Sequence, residues 1–197
     1  MARIMTRRPF VYCPYCATPL QDTNFGHKTL RACPNCRFVQ HHDPKVAVVA
    51  RIEQDNCLLL VRRGVNPSKG LWALPGGYMD GGEMPVDAVR RECIEELALP
   101  IAVHELLAIY PMVNHEGPGQ GIVLVYRATP EDTHCSTTTA PPALDDVAEA
   151  RWFTVQELAG ELPVTLAFDS TVVEVRRWVE GTALAVVNTS SSKESDL

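Results

Sequence analysis

Apolar residues recur along this chain in two rhythms. Val86, Val89, Cys93 and Leu97 fall on one stripe at the 3.6-residue period, while Glu92, Glu95 and Glu96 gather on another face. A helix with one buried and one acidic side is predicted. Pro85 suits the first helical position, where an N–H would have no partner anyway, and Asp87 complements the positive end of the helix dipole. The helix is therefore placed to start near Met84. Short runs rich in β-branched residues predict strands at 44–52 and 57–62, flanking the turn Glu53-Gln54-Asp55-Asn56. Further strands are predicted at 101–110, 121–128 and 148–153, with helices near 155–161 and 166–180. That order predicts an α/β class fold, a sheet sandwiched by helices. The small polar residues at 189–197 read as disordered, and no internal repeat is present.

Composition sharpens the domain picture. With 197 residues, 46% of them hydrophobic, the chain buries one substantial core plus a small module. No apolar run is long enough to span a bilayer, and residues 1–10 carry three arginines without an apolar stretch. A soluble, cytoplasmic protein is expected. The formal charge of −6 is uneven: residues 1–43 carry a net +4 and the remainder −10. The modest basic excess favours packing or dimerisation of the first segment over contact with nucleic acid.

Cysteine explains the basic segment. Cys13-Pro14-Tyr15-Cys16 and Cys33-Pro34-Asn35-Cys36 repeat a Cys-x2-Cys pair across the spacer of a zinc ribbon. Four thiolates close a tetrahedral shell with no position for water, so this zinc is structural. Zinc is favoured over disulfides by the spacing and by the reducing compartment expected. Ala17 and Arg37 stand where ribbons often have glycine, which predicts less ideal knuckle turns. His27 reads as a surface residue. Cys57 and Cys93 read as small core residues, and Cys135, in a Thr/Pro-rich loop, is given no function. The domains are then 1–42 (ribbon), 43–187 (the domain that carries the acidic helix) and 188–197 (tail).

The acidic helix carries the chemistry. Glu92 stands three and four residues from Glu95 and Glu96, spacings at which like charges repel by roughly a few tenths of a kcal/mol per pair. Arg91 pairs with Glu95 one turn on, and a divalent cation neutralises the rest; magnesium prefers such carboxylate oxygens and completes its shell with water and phosphate. The segment 77–99, Gly-x5-Glu-x7-Arg-Glu-Cys-Ile-Glu-Glu-Leu-Ala-Leu, resembles the Nudix box, and Leu71-Trp72-Ala73-Leu74-Pro75-Gly76-Gly77 resembles the family's approach to it. The resemblance implies a Nudix α/β/α sandwich with a mixed sheet and magnesium- or manganese-dependent hydrolysis of nucleoside diphosphate derivatives. Its functional positions here are Gly77, Glu83, Arg91, Glu92, Glu95 and Glu96, with Glu83 orienting Arg91 and the other three glutamates holding the cation. Ala98 replaces the family's usual glycine, which predicts a changed helix exit.

Around the box, Gly76 and Gly77 permit close backbone approach to phosphate or metal. Arg51, Arg62 and Arg63 are candidate phosphate ligands, Arg51 and Arg62 being preferred; at most one of Arg62 and Arg63 reaches the site, because successive strand residues face opposite ways. Glu96 or Glu95 is the first choice for general base, with Glu116 and Glu149 as alternatives. Trp72, Tyr78 and Tyr110 are candidates to stack on a substrate ring. A ribbon ahead of a Nudix domain is also the layout of NADH pyrophosphatases, but their Ser-Gln-Pro-Trp motif is missing at 109–121. From about Tyr12 to Arg127 the chain looks more similar to plant-type FAD and ADP-ribose pyrophosphatases, which implies ADP-ribose or FAD-like substrates and AMP as product. Two other readings stay open, a nucleoside triphosphate or mRNA-cap hydrolase and a nucleotide-sensing protein that contacts nucleic acid.

Overall fold

β1 (Gln21–Phe25) and β2 (Lys28–Ala32) form a hairpin closed by Gly26 at φ +63°, and β3 (Val39–Gln40) pairs with β2. They belong to the first of two compact units, Met1–Pro44, the second being Lys45–Leu197. The computed structural model describes residues 10–41, 43–114, 117–132, 137–160 and 164–191. Among the described residues the core of the first unit is Cys13, Leu20 and Cys33, with Cys16 and Phe38 packed against it. Every residue of β1 is exposed, so no apolar alternation announced this hairpin. Ala17 and Arg37 adopt φ +56° and +64°, so the knuckle turns keep the left-handed geometry without glycine, at roughly 1–2 kcal/mol each.

The second unit opens with β4 (Lys45–Gln54) and β5 (Cys57–Arg63), joined by Asp55 and Asn56, both at positive φ. Two such residues match the right-handed twist of the flanking strands. There follow β6 (Trp72–Ala73), β7 (Gly76–Tyr78), α1 (Pro85–Leu97), β8 (Ile101–Asn114), β9 (Gly117–Pro130), β10 (Val147–Thr154), α2 (Val155–Leu158) and α3 (Asp169–Ser191). The strand order is β10-β5-β4-β9-β8, with β6 beside β5 and β7 beside β4. Only β4 and β9 are parallel among these pairs. β4 and β5 pair at Glu53↔Leu58 and Gln54↔Cys57, and then separate. β7 takes the vacated edge of β4 through Ala47↔Tyr78, Val48↔Gly77 and Val49↔Gly76, which brings the two glycines against the middle of the sheet.

The sheet divides two cores. On one face α1 packs Val89, Cys93 and Leu97 against Val48, Ala50, Ile52, Leu59 and Leu124. On the other α3 packs Val175 and Trp178 near Leu58, Leu60, Val125 and Phe153. The run Leu58-Leu59-Leu60 is fully buried because both faces of its strand are covered. This is the predicted α/β/α sandwich. Three helix bounds differ. α2 spans one turn rather than 155–161, started by a capping box between Thr154 and Glu157. α3 begins at Asp169 rather than 166, because the preceding segment pairs with β6: Trp72 N–H donates to Thr165 O (2.9 Å) and Ala167 N–H to Trp72 O (2.7 Å). At its far end α3 continues through Ser191, past the limit of 187 set for the domain. No helix among the described residues is long and apolar enough to cross a membrane.

One charged group lies inside the second core. Glu174 is 1% exposed; it accepts from Arg51 Nη1 (3.0 Å), Tyr110 OH (2.5 Å) and Arg177 Nη1 (3.1 Å). Burial and Glu174 together push the Tyr110 phenol up to about 12. Removing one member of a buried ion pair strands the other. Glu174→Ala is expected to lower unfolding free energy by about 3–5 kcal/mol, read from the midpoint of urea denaturation; an unchanged midpoint would show that α3 is held by its apolar face alone.

Candidate active site and cysteine centre

α1 starts at Pro85 with Met84 as its N-cap, and Glu96, though ionisable, lies on the buried side at 5% exposure. What lets it sit there is the neighbouring backbone: Gly76 N–H donates to Glu96 Oε2 at 2.9 Å. Gly76 has φ +136°, and a Cβ on it would lie 2.1 Å from Val48 O; a Cβ on Gly77 would lie 2.6 Å from Glu92 Oε2. Position 76 therefore requires glycine, for conformation and for closeness to the β4 backbone, while a side chain at Gly77 would displace the Glu92 carboxylate.

Arg91 organises the acidic face. Its Nε and Nη2 clasp both oxygens of Glu83 (2.9 and 3.0 Å), its Nη1 reaches Glu92 Oε1 and Glu95 Oε2 (both 2.9 Å), and Nη2 also donates to Tyr78 O (3.0 Å). Bidentate pairing of this kind fixes the guanidinium plane. Glu83 holds the arginine firmly protonated, and Arg91 in turn holds the Glu83 carboxyl below its ordinary range. The expected orientation of Arg91 from the loop and its pairing with Glu95 are thus both present in the geometry.

The three metal-candidate glutamates differ in environment. Burial pushes Glu96 up to about 8, against the Gly76 N–H, with Asp146 and Glu92 adding repulsion and Arg63 opposing it. Glu92 is also raised, mainly by burial. Glu95 is half exposed. Their oxygens do not converge on one point: Glu92 and Glu95 lean to Arg91 while Glu96 leans to Gly76. At the helix exit, Ala98 takes φ +48°, with Ala98 N–H on Ile94 O (2.9 Å) and Leu99 N–H on Cys93 O (3.3 Å). The exit therefore keeps the turn that the family's glycine makes, with added strain, and is not re-routed as expected.

The arginines sort by strand face. Arg51 faces α3 and is bonded to Glu53 (2.6 Å) and Glu174 (3.0 Å). Arg62 pairs with Glu149 (2.9 Å) on that same side of the sheet. Neither is brought to the glutamates. Arg63, one residue further, faces them: it lowers the Glu96 pKa, donates from Nε to Pro67 O (2.9 Å), and lies 5.3 Å from the Phe168 ring centre. A residue that sequence reasoning missed also stands here. Asp146 acts electrostatically on both Glu92 and Glu96, and its loop is tied by main-chain bonds, Leu144 N–H to Glu96 O (2.8 Å) and Gly64 N–H to Asp146 O (2.6 Å). Its only sequence signal was the Asp145-Asp146 pair ahead of a strand.

Of the alternative bases, Glu149 is the partner of Arg62, and Glu116 lies outside the described residues. Trp72 is buried edge-on against Phe153 (5.2 Å, 89°), and Tyr110 is bound to Glu174, so neither presents a ring to substrate. Tyr78 is 53% exposed, with Lys45 Nζ 4.5 Å from its ring centre; it points away from the face that Gly77 turns to Glu92.

In the first unit Cys13, Cys16, Cys33 and Cys36 bring their sulfurs within 4.8 Å of one another, the one such group of metal-ligating side chains among the described residues. His27 is not part of it. Asn35 and Cys36 N–H both donate to Cys33 Sγ (3.4 Å). Crowding splits the thiols: hydrogen bonds with Thr18 pull Cys16 down to about 6, while Cys36, despite a backbone hydrogen bond at Phe38, is pushed up to about 12 by neighbouring sulfurs and burial. Only a cation lets four thiolates coexist at this spacing, and the soft, closed donor set fits zinc. Cys57 and Cys93 are buried core residues as read from their apolar neighbours; Cys135 lies outside the described residues.

Comparison with known proteins identifies the family. The ADP-ribose pyrophosphatase of Methanocaldococcus jannaschii is 36% identical over 140 residues, 70% of this chain and 76% of that protein. A MutT-like protein of Streptomyces ambofaciens is 33% identical over 119 residues, 60% of this chain and 68% of that protein. The crystal structure of a NUDIX hydrolase from Nitrosomonas europaea superposes with a TM-score of 0.71 at 26% identity, covering 87% of this chain and 91% of that one. The sequence pattern of the NUDIX domain matches residues 41–177, well over half the chain, and with Glu92, Glu95 and Glu96 carried on one helix the chain belongs to the NUDIX family and is a Nudix pyrophosphohydrolase.

Proposed function

We propose that the chain cleaves the pyrophosphate bond of ADP-ribose or an FAD-like dinucleotide and releases AMP. What carries this reading is the set of charged box residues, Glu83 in the loop ahead of α1 and Arg91, Glu92, Glu95 and Glu96 on it, in a chain 36% identical to a protein named as an ADP-ribose pyrophosphatase. Glu92, Glu95 and Glu96 are the residues to hold magnesium or manganese. Such a cation, when bound, neutralises diphosphate charge and lowers the pKa of an attacking water. The chain's own groups do the rest. Arg91 keeps Glu92 and Glu95 aligned until they are drawn off to the ligand. Gly76 and Gly77 leave the approach to the carboxylates unobstructed. Arg63 takes the phosphate-binding role for which Arg51 and Arg62 had been candidates, its guanidinium pre-positioned by Pro67 O. Glu96 or Glu95 accepts the proton of the water.

Product-resolved chromatography tests the reading. Zinc-loaded protein is incubated with magnesium and FAD, ADP-ribose, NADH, deoxynucleoside triphosphates or capped RNA. AMP from ADP-ribose or FAD is expected. Inorganic phosphate or pyrophosphate from triphosphates alone would move the chain toward the nucleoside triphosphate hydrolase reading instead. Turnover of none, with salt-sensitive binding of nucleic acid, would favour the sensing reading.

A further inference from the structure

α1 does not cover the whole of the face on which it lies. Along β9, Leu124 and Tyr126 point toward α1 and are 9% and 8% exposed, but Ile122, on the same face one pleat earlier, is 36% exposed. On β8, Ile109 pairs with Leu124 and Leu106 with Tyr126, and they are 57% and 45% exposed. Val46, across from Ile122 in the parallel pair, and Met79, whose N–H donates to Val46 O (3.0 Å), are partly buried at the margin of the core. An apolar strip therefore continues the catalytic face beyond the helix.

Its distance from the carboxylates is set by the register. Gly77, where a Cβ would meet Glu92, pairs with Val48 on one side of β4; Ile122 pairs with Val46 on the other. Two strand spacings sideways and one two-residue step along place Ile122 roughly 12 Å from Gly77. That is comparable with the reach from a diphosphate across a ribose to the base it carries.

We infer that Val46, Met79, Ile122 and Ile109 seat the planar base of the substrate nucleotide. The inference rests on the pyrophosphatase reading for the position of the diphosphate. A base presents an apolar flat face and polar edges, which suits a strip of aliphatic side chains better than a charged groove. It is also continuous with the glutamate site, so one ligand spans both. The seat explains why none of Trp72, Tyr78 and Tyr110 faces the glutamates: aliphatic contact replaces stacking.

Calorimetry with AMP and with ribose 5-phosphate, each with magnesium, reads the base contribution directly. Wild type is expected to bind AMP at least ten-fold more tightly. In Ile109→Ser/Ile122→Ser, AMP affinity falls about ten-fold and ribose 5-phosphate affinity stays put; KM for ADP-ribose rises similarly with kcat within two-fold. Ile109→Ala, at a largely exposed position, serves if the double variant melts early, and should show a smaller shift of the same sign. Equal affinity of wild type for the two ligands, or AMP binding indifferent to the variants, overturns the inference. A wild-type dimer that the variants split in sedimentation, with AMP affinity unmoved, overturns it too and makes the strip a contact between copies. If wild type hydrolyses nothing yet AMP binding follows the expected pattern, the seat stands and the proposed reaction falls. If wild type releases AMP while the variants keep its KM, the reverse holds.

Discussion

Glu96→Gln is expected to cut hydrolysis by roughly 10³-fold or more, the scale seen when a directly acting polar group leaves a preorganised site, while making the metal-free protein more stable. Both effects come from one cause. The Glu96 carboxyl is buried, its single described hydrogen bond comes from Gly76, and burial holds its pKa up at about 8. A carboxyl raised in the folded state binds its proton more tightly folded than unfolded. Its stabilising contribution is therefore complete below about 4.5 and is lost as pH climbs toward about 8. Glutamine keeps the acceptor for Gly76 and has no charge to bury. Melting temperatures taken in chelator from pH 5 to pH 8.5 should show wild type falling relative to the variant as pH rises. Magnesium affinity of wild type should rise over the same interval, because the cation displaces the proton. Parallel melting curves for the two proteins would remove Glu96 as the source, and full activity in the variant would remove it from the chemistry.

Stripping zinc is expected to unfold the first unit. Among the described residues three buried side chains form its core, two of them metal-ligand candidates, and β1 buries none of its residues. A two-stranded hairpin with so little apolar cover is marginal in water. Structural zinc supplies about 10–16 kcal/mol in comparable small sites, and that binding energy is folding energy. One zinc per chain by elemental analysis is therefore expected, with Cys33→Ser losing it. Limited proteolysis of the stripped protein should cut first within residues 10–44. A protein without zinc whose four sulfurs resist thiol reagents until reduced would instead assign the pairs Cys13–Cys36 and Cys16–Cys33, at 3.3 and 3.5 Å, to disulfides.

Where one local rule decided the structure, the sequence could be read. Helix α1 is such a case, since the apolar stripe, Pro85 and the spacing of the glutamates all act within a few turns. So are the cysteine quartet and the Asp55-Asn56 turn. The exposed hairpin β1–β2 was silent because nothing buries it, and β6 and β7 are too short to show a period. Arg51 and Arg62 were misplaced for a different reason: a strand's residues alternate faces, but which face holds α1 depends on how β4 and β5 part, which no local pattern records. Glu174 meets Arg51 across 123 positions, and Asp146 meets the box helix across some fifty. Both contacts exist only once the sheet is assembled.

The loop that delivers Asp146 is held to the helix end and to Gly64 through main-chain atoms. Such ties are indifferent to which side chain stands at 146, in contrast to Asp145, whose φ of +49° restricts its occupant. Mutational drift there can exchange a carboxylate for an amide, a base or an apolar group beside the glutamates without loosening the scaffold. The enzyme's repertoire can thus change one codon at a time at this edge, while Gly76, where an added carbon collides with the main chain of β4, allows no such experiment.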